Sequence, residues 1–271
     1  MNGIGRVGIW AGGFDALPID VIREAAQAIE DLGYDALWLH ETTGREIIAQ
    51  AGILLAATRR IVVAAGGADI YARDAASAAA AQRTFDEAFP GRFFLGLWES
   101  HPGIAQEFRG HPFQPPLKAM RAYLDAMKAG PGRLIMALEP EMLSLASERT
   151  GGAHVLGMPV GYTRTARTVL GPDALLAVAQ LIVLDADRAR ARELARATAE
   201  AALPNRRELL AGIDVDRLVD ALVVHGTVDD VARRVNAHFE AGADHVSLYI
   251  ADSTPGQAPV AQWRRLAAEL L

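Results

Sequence analysis

Cysteine is absent from the 271-residue chain. Disulfides, thiolate metal sites and cysteine nucleophiles are therefore excluded. No HExxH or H-x-E-x-H stretch occurs, so no metal centre is expected. A GxSxG elbow is also missing, which leaves a hydrolase without its nucleophile turn. No GxGxxG follows a strand-like run, which removes the mark of a dinucleotide-binding open sheet. No uninterrupted apolar run approaches ~18 residues, so no membrane span is expected. The first residues, MNGIGRVGIW, lack a basic start followed by a long apolar run. No secretory signal is expected from them, and a cytoplasmic location is the default. The net charge of −6 argues against nucleic acid as a partner, because phosphate binding needs a surplus of Lys and Arg.

The chain is 51% hydrophobic and 22% charged, a composition that builds one large core, and residues 1–271 read as a single domain. Two apolar patterns alternate along it. Short runs rich in Val, Ile, Leu, Phe and Trp occur at 6–11, 36–41, 61–65, 92–98, 133–138, 153–157, 176–185 and 245–250. They do not alternate with polar residues, as expected of strands buried on both faces of a parallel sheet. Amphipathic segments lie between them. In IDVIREAAQAIEDLG, Val21, Ile22, Ala25, Ile29 and Leu32 form one stripe and Gly33 stands at the C-cap. Further helices are predicted over 74–89, 116–129, 141–148 and 188–202, and over VDDVARRVNAHFEAG before the last strand. Residues 203–227 read as two short helices. DLGYDALWL and EAGADHVSL share one grammar of helix end, glycine, Asp and strand. Eight strands mostly separated by helices predict a (β/α)8 TIM barrel.

In such a barrel the active site lies where the strands end. Strand two ends in His40 and Glu41, strand three in Gly66, Gly67, Asp69 and Tyr71, and strand four in Trp98, Glu99, Ser100 and His101. Glu139 follows strand five, Gly157 to Tyr162 follow strand six, and Tyr249 ends strand eight. Two imidazoles and several carboxylates at one mouth suit proton transfer at neutral pH. Gly66-Gly67 allows close approach of the backbone to a flat ligand, or makes a simple turn. His238 and His245 flank a helix-to-strand turn without metal-ligand spacing. DRARARELAR at 187–196 carries both charge signs and reads as a solvated helix face.

The motifs GRVGIW, ALWLHE, LLAATRRIVVAAGGADIYARD, GRFFLGLWESH, AMRAYLDAM and RLVDALVVHGTVDDVARRVNAHFEAGADHVSLYI together resemble the luciferase-like superfamily, in its branch of coenzyme F420-dependent oxidoreductases. The resemblance implies a barrel that binds F420, or FMN as a variant, and a small-molecule substrate. It implies a bulge with a non-prolyl cis peptide at Gly66-Gly67 that backs the cofactor ring. It places the cofactor phosphate between Gly157 and Arg164, near Tyr162 and Thr163, with Ser100 also at the cofactor. His40, Glu41, Glu99 and His101 become the acid/base set, with His40 or His101 as proton donor. Trp10, Trp98 and Glu139 line the substrate pocket. The resemblance also implies a homodimer, and the alanine-rich 74–89 segment is compatible with close helix packing.

Four positions depart from the family pattern. Trp98 stands where the family has the second glycine of LGLG, Glu139 and Glu141 replace the glycine and arginine of LGPRM, and Tyr162 replaces a histidine. These changes enlarge and acidify the mouth side chains. They open a second expectation: a cofactor-free barrel that serves as a partner subunit, binding protein or repurposed non-redox enzyme.

Overall fold

The computed structural model describes residues 3–127, 130, 132–202, 215–251 and 256–271. The strands are β1 (Val7–Trp10), β2 (Ala36–Leu39), β3 (Val62–Asp69), β4 (Phe93–Trp98), β5 (Arg133–Met136), β6 (Gly152–Leu156), β7 (Leu175–Leu184), β8 (Val223–Gly226) and β9 (His245–Ile250). Eight of them, all but β8, pair in parallel in the order β1-β2-β3-β4-β5-β6-β7-β9, and β9 pairs back with β1. The ring is closed, and its strands are the eight apolar runs of the sequence.

The helices are α1 (Ile19–Asp31), α2 (Ile47–Ala57), α3 (Ala75–Ala88), α4 (Pro116–Met127), α5 (Pro140–Arg149), α6 (Val160–Leu170), α7 (Arg188–Ala202), α8 (Val215–Leu222), α9 (Val228–Glu240) and α10 (Val260–Leu270). Asp74 caps α3 through Ser77 N–H at 2.8 Å, and Thr227 with Asp230 closes a capping box on α9. α2, IIAQAGILLAA, is apolar nearly all round, so it lacks the stripe that marks the other helices in sequence. The alanine face of α3, with Ala75, Ala78 and Ala79, lies against the chain's own core.

The repeated helix-glycine-Asp grammar has a structural reason. Gly33 and Gly242 take φ of +93° and +101°, which reverses the chain after α1 and α9. Asp35 Oδ2 then accepts Val7 N–H at 3.1 Å, and Asp35 N–H donates to Val7 O at 2.9 Å. Asp244 does the same to Leu176, with 2.8 Å and 2.9 Å. Each Asp clamps the entry of the adjacent strand.

Residues 203–214 lie outside the described residues, and the first of the two short helices expected there falls on them. The second is α8, which is followed by the strand β8 rather than a loop. β7 is ten residues long. Leu175, Leu176, Ala177, Val178 and Ala179 pair with β6, and Leu181 to Leu184 pair with β8. β8 thus takes up the edge of β7 beyond the end of β6. Four residues of VVHG are too short a run to stand out in sequence.

The barrel interior is filled by Trp10, Trp38 and Phe94, set against Ala64, Ala177, Ala179 and Gly66. Large rings on β1, β2 and β4 need small residues on β3 and β7 to reach interior packing density. A Cβ on Gly66 would lie 2.6 Å from Trp10 Cζ3 and 3.0 Å from Trp38 Cε3. Gly66→Ala is expected to cost about 1–3 kcal/mol by overpacking. Urea denaturation checks this, and an unchanged midpoint would mean that the indoles move aside freely.

Candidate functional site at the barrel mouth

Indoles and imidazoles alternate up the barrel interior. His154 of β6 lies between Trp38, at 4.4 Å between ring centroids, and Trp10, at 4.9 Å and 3°. Trp10 touches His40 at 5.7 Å, His40 touches Trp98 at 4.9 Å, and Trp98 meets His101 edge-on at 5.9 Å. At the inner end Trp38 Nε1–H donates to His245 Nε2 at 2.9 Å, which leaves the His245 proton on Nδ1, bonded to Gly5 O at 3.0 Å. Burial holds His154 near pKa 3 and His245 and His40 near 4, so all three rings are neutral at pH 7. Neutral rings stack without a charge to desolvate, which is why histidine is tolerated there.

Glu41 and Asp69 end β2 and β3 in full burial, at 1% exposure each. Two arginines meet them. Arg73 Nη1 donates to Glu41 Oε2 at 2.8 Å, its Nη2 contacts Glu41 Oε1, and Asp69 N–H donates to Glu41 Oε2 at 2.9 Å. Arg109 Nε donates to Asp69 Oδ2 at 2.8 Å, and Ser100 Oγ donates to the same oxygen at 3.1 Å. Ser100 has φ of +66°, alone among the described non-glycine residues in the left-handed region, and this bond holds it there. Glu41 was expected in the acid/base set. With both oxygens committed to Arg73, it instead ties the β2 and β3 ends together. Ser100, expected at the cofactor, is buried with its hydroxyl on Asp69.

Three buried polar atoms at the mouth have no hydrogen-bond partner among the described residues: His40 Nδ1, Glu99 Oε2 and Tyr162 Oη. Burial, with the Glu139 charge adding to it, pushes the Glu99 carboxyl up to about 7. The same two causes push the Tyr162 phenol up to about 12. Glu99 is therefore a carboxyl that carries a proton about half the time at neutral pH, the range a proton-transfer group needs. His40, expected as proton donor, is a neutral hydrogen-bonding group at that pH. His101 is exposed, and its Nδ1 accepts Ile104 N–H at 3.4 Å, at the start of a π-helical turn (Gly103–Phe108). Among the described residues no group of three or more His, Asp or Glu is placed to hold a metal ion.

A cavity of 480 Å³ opens where β6, β7 and β9 end, lined by Leu156, Leu181, Leu194, Ala197, Tyr249 and Ala251 among others. Its size and apolar wall suit an organic ligand. Four residues beyond Leu156, α6 begins, with Gly161 and Arg164 exposed and Arg164 without an ion pair among the described residues. Thr163 was expected at the phosphate, but it is fully buried and its hydroxyl bonds His238 Nδ1 at 2.8 Å. Gly157 stays in the barrel wall, its N–H on Ala179 O at 2.8 Å.

The bulge between β3 and β4 is present, as the register slips between Ala65 and Ala68, across Gly66-Gly67. The described peptide bonds are all trans, so the expected cis peptide is not found. The bulge is also covered. Trp10 and Trp38 lie over Gly66, and His40 Nδ1 and Met136 Sδ stand 2.9 Å and 3.3 Å from a Cβ built on Gly67. Trp98, 9% exposed, closes that side of the mouth above His40. A flat cofactor ring does not fit against the bulge. The cavity beside β6, β7 and β9 has the volume and the apolar wall for an organic ring, and α6 begins four residues beyond Leu156 of its lining.

The sequence reading missed Arg73, Arg109 and His154. Arg73 lies inside a motif singled out for other residues. Arg109 is 40 residues from Asp69, with no local pattern to connect them. His154 sits in mid-strand, where a polar residue in an apolar run was the available signal.

The family model described as luciferase-like monooxygenase matches residues 7–131. A putative coenzyme F420-dependent oxidoreductase of Mycobacterium tuberculosis is 28% identical over 123 residues, 45% of this chain and 35% of that protein. The chain thus spans about a third of the length of that curated relative. Among solved structures, an F420-dependent tetrahydromethanopterin reductase from Methanopyrus kandleri is similar at TM-score 0.76 and 15% identity, covering 99% of this chain and 98% of that one. An F420-dependent secondary alcohol dehydrogenase with an F420-acetone adduct gives 0.73 and 14%, covering 98% of each. The FMN-bound oxygenating constituent of 3,6-diketocamphane monooxygenase from Pseudomonas putida gives 0.71 and 15%, covering 99% of each. The match to the luciferase-like monooxygenase model thus covers residues 7–131, and the described chain has the fold of these solved barrels.

Proposed function

We propose that this chain is an oxidoreductase that acts on a small organic molecule together with a deazaflavin or flavin. The observation that carries this reading is the apolar 480 Å³ cavity at the same barrel mouth as Glu99, Tyr162 and His40, whose buried polar atoms lack partners. A buried polar atom without a partner costs about 1–3 kcal/mol, which a ligand that supplies the partner recovers. Leu156, Leu181 and Tyr249 would hold the flat ring, and the N-terminus of α6 with Gly161 and Arg164 would hold the phosphate. When bound, such a cofactor supplies two-electron transfer. The chain's own residues exclude water, orient the substrate through His40 Nδ1 and Tyr162 Oη, and hold or release a proton at Glu99 Oε2. The resemblance to F420- and FMN-dependent barrels supports the cofactor class, and the same reading takes the protein as a homodimer. Titration of the purified protein with oxidised F420, and separately with FMN, tests it. Saturable binding of either at micromolar concentration is expected, and absence of both would overturn the proposal.

One observation favours a second reading, a barrel without a redox cofactor: the ring stack from Trp38 to Trp98 fills the side of the barrel where the bulge lies. Trp98→Gly separates the two. In the oxidoreductase reading Trp98 shapes a working pocket, and its loss weakens cofactor binding as well as costing about 3–5 kcal/mol of stability. If Trp98 instead plugs an abandoned ring seat, the variant gains cofactor binding that the parent lacks, which fluorescence titration of both proteins detects.

A further inference from the structure

A second cavity, of 590 Å³, lies beside β8, away from the mouth groups. Its walls are α7 on one side and α9 on the other, and its base is Val223, Val224, His225 and Gly226 of β8. Four arginines line it: Arg188 and Arg192, one helical turn apart on α7, and Arg233 and Arg234 on α9. The two carboxylates in the lining are Asp220 and Asp230. Arg192 pairs with Asp220 at 3.0 Å and Arg233 contacts Asp230. Two positive charges are left without a carboxylate of their own, in a chain whose net charge is −6.

The two unbalanced arginines differ in a useful way. Arg234 is fixed by backbone carbonyls, donating to Asp220 O at 2.6 Å and Ala221 O at 3.0 Å. Carbonyls orient a guanidinium without cancelling its charge. Arg188 is exposed and makes no hydrogen bond or close ion pair among the described residues. One arginine is thus held in place and the facing one is free to close on a ligand. Guanidinium groups present planar forks that match phosphate oxygens in pairs, which a lysine cannot do. Val223, Val224 and Ala237 give the same cavity an apolar base. The 187–196 segment, a solvated face by sequence, therefore supplies one wall of a charged cleft.

We propose that the cleft between α7, β8 and α9 binds a soluble organic phosphate monoester, with the phosphate between Arg188 and Arg234, beside Arg192 and Arg233, and the organic part on Val223, Val224 and Ala237. Calorimetric titration with phenyl phosphate tests it, with inorganic phosphate and vesicles of phosphatidic acid as comparison arms. Saturable one-to-one binding of phenyl phosphate is expected, at least threefold tighter than inorganic phosphate. Arg188→Glu should weaken it at least tenfold with little change in Tm, since Arg188 is exposed and meets Asp230 only through a distant charge interaction, and Arg233→Gln should weaken it in the same direction. The affinity should fall as salt rises. Absence of saturable binding, equal affinity in the Arg188→Glu protein, equal affinity for the two phosphates, or binding to vesicles alone would each overturn the assignment. These readouts do not involve F420 or FMN, so they stand apart from the proposed redox function.

Discussion

Replacing Arg73 by methionine will destabilise the fold by about 3–5 kcal/mol, the range for removing one partner of a buried ion pair. Arg73 is 11% exposed and Glu41 is 1% exposed, so water cannot replace the lost guanidinium at both Glu41 oxygens. Arg109, 3.7 Å from Glu41, is already engaged by Asp69 and compensates little. The bond to Glu46, which is half exposed, adds little to the sum. Urea denaturation at constant m-value is the measurement. Removing both partners, as Glu41→Leu with Arg73→Met, should cost less than Arg73→Met alone, because no unpaired charge is then buried. If the single change costs under 1 kcal/mol, the cluster is hydrated and does not clamp the strand ends.

In the proposed oxidoreductase, Glu99→Gln is expected to have the largest effect on turnover. A positioned proton-transfer group contributes 10²- to 10⁴-fold in rate, and the loss should appear in kcat, with the pH limb near 7 removed. Stability gives a second readout that does not depend on turnover. Glu99 has a carboxyl of about 7 when folded against 4.5 when unfolded. The native state therefore binds more protons between those values, and the stability present below about pH 4.5 is lost as pH rises through about 7. Glutamine carries no such cost. Above pH 7 the variant should exceed the parent by up to about 2 kcal/mol, a figure reduced from the full 1.36 kcal/mol per pH unit because Glu99 is partly exposed. Equal pH profiles of denaturation for the two proteins would show that Glu99 ionises as in water. Infrared titration of the protonated carboxyl, lost in the variant, would locate the group directly.

Much of the barrel was legible because it is written locally. The eight ring strands are continuous apolar runs, α7 begins at Arg188 as read, and α3 begins one residue after Asp74, which was read as its first residue and is its cap. The Gly33-Asp35 and Gly242-Asp244 turns repeat one short pattern. The bulge at Gly66-Gly67 was expected from the family resemblance, while the two adjacent glycines alone left a simple turn open. β8 escaped because four apolar residues carry no period, and only its place on β7 makes them a strand.

The site was legible as a set of residue types at strand ends, not as a set of roles. Glu41, Glu99 and His40 are equally plausible acid/base groups on paper. Burial and partners separate them: Glu41 is held by Arg73, His40 is kept neutral, and Glu99 is raised to about 7. The sequence by itself determined the eight strands of the ring, their parallel arrangement and the chemistry offered to the mouth, since these depend on neighbours within a few positions. Only the tertiary structure decided that Trp10, Trp38 and Trp98 interleave with histidines and cover the bulge, and that four arginines from two helices face one cleft. The Trp38–His245 bond spans 207 positions of sequence. Contacts of that separation exist only once the ring has closed, and no local pattern records them.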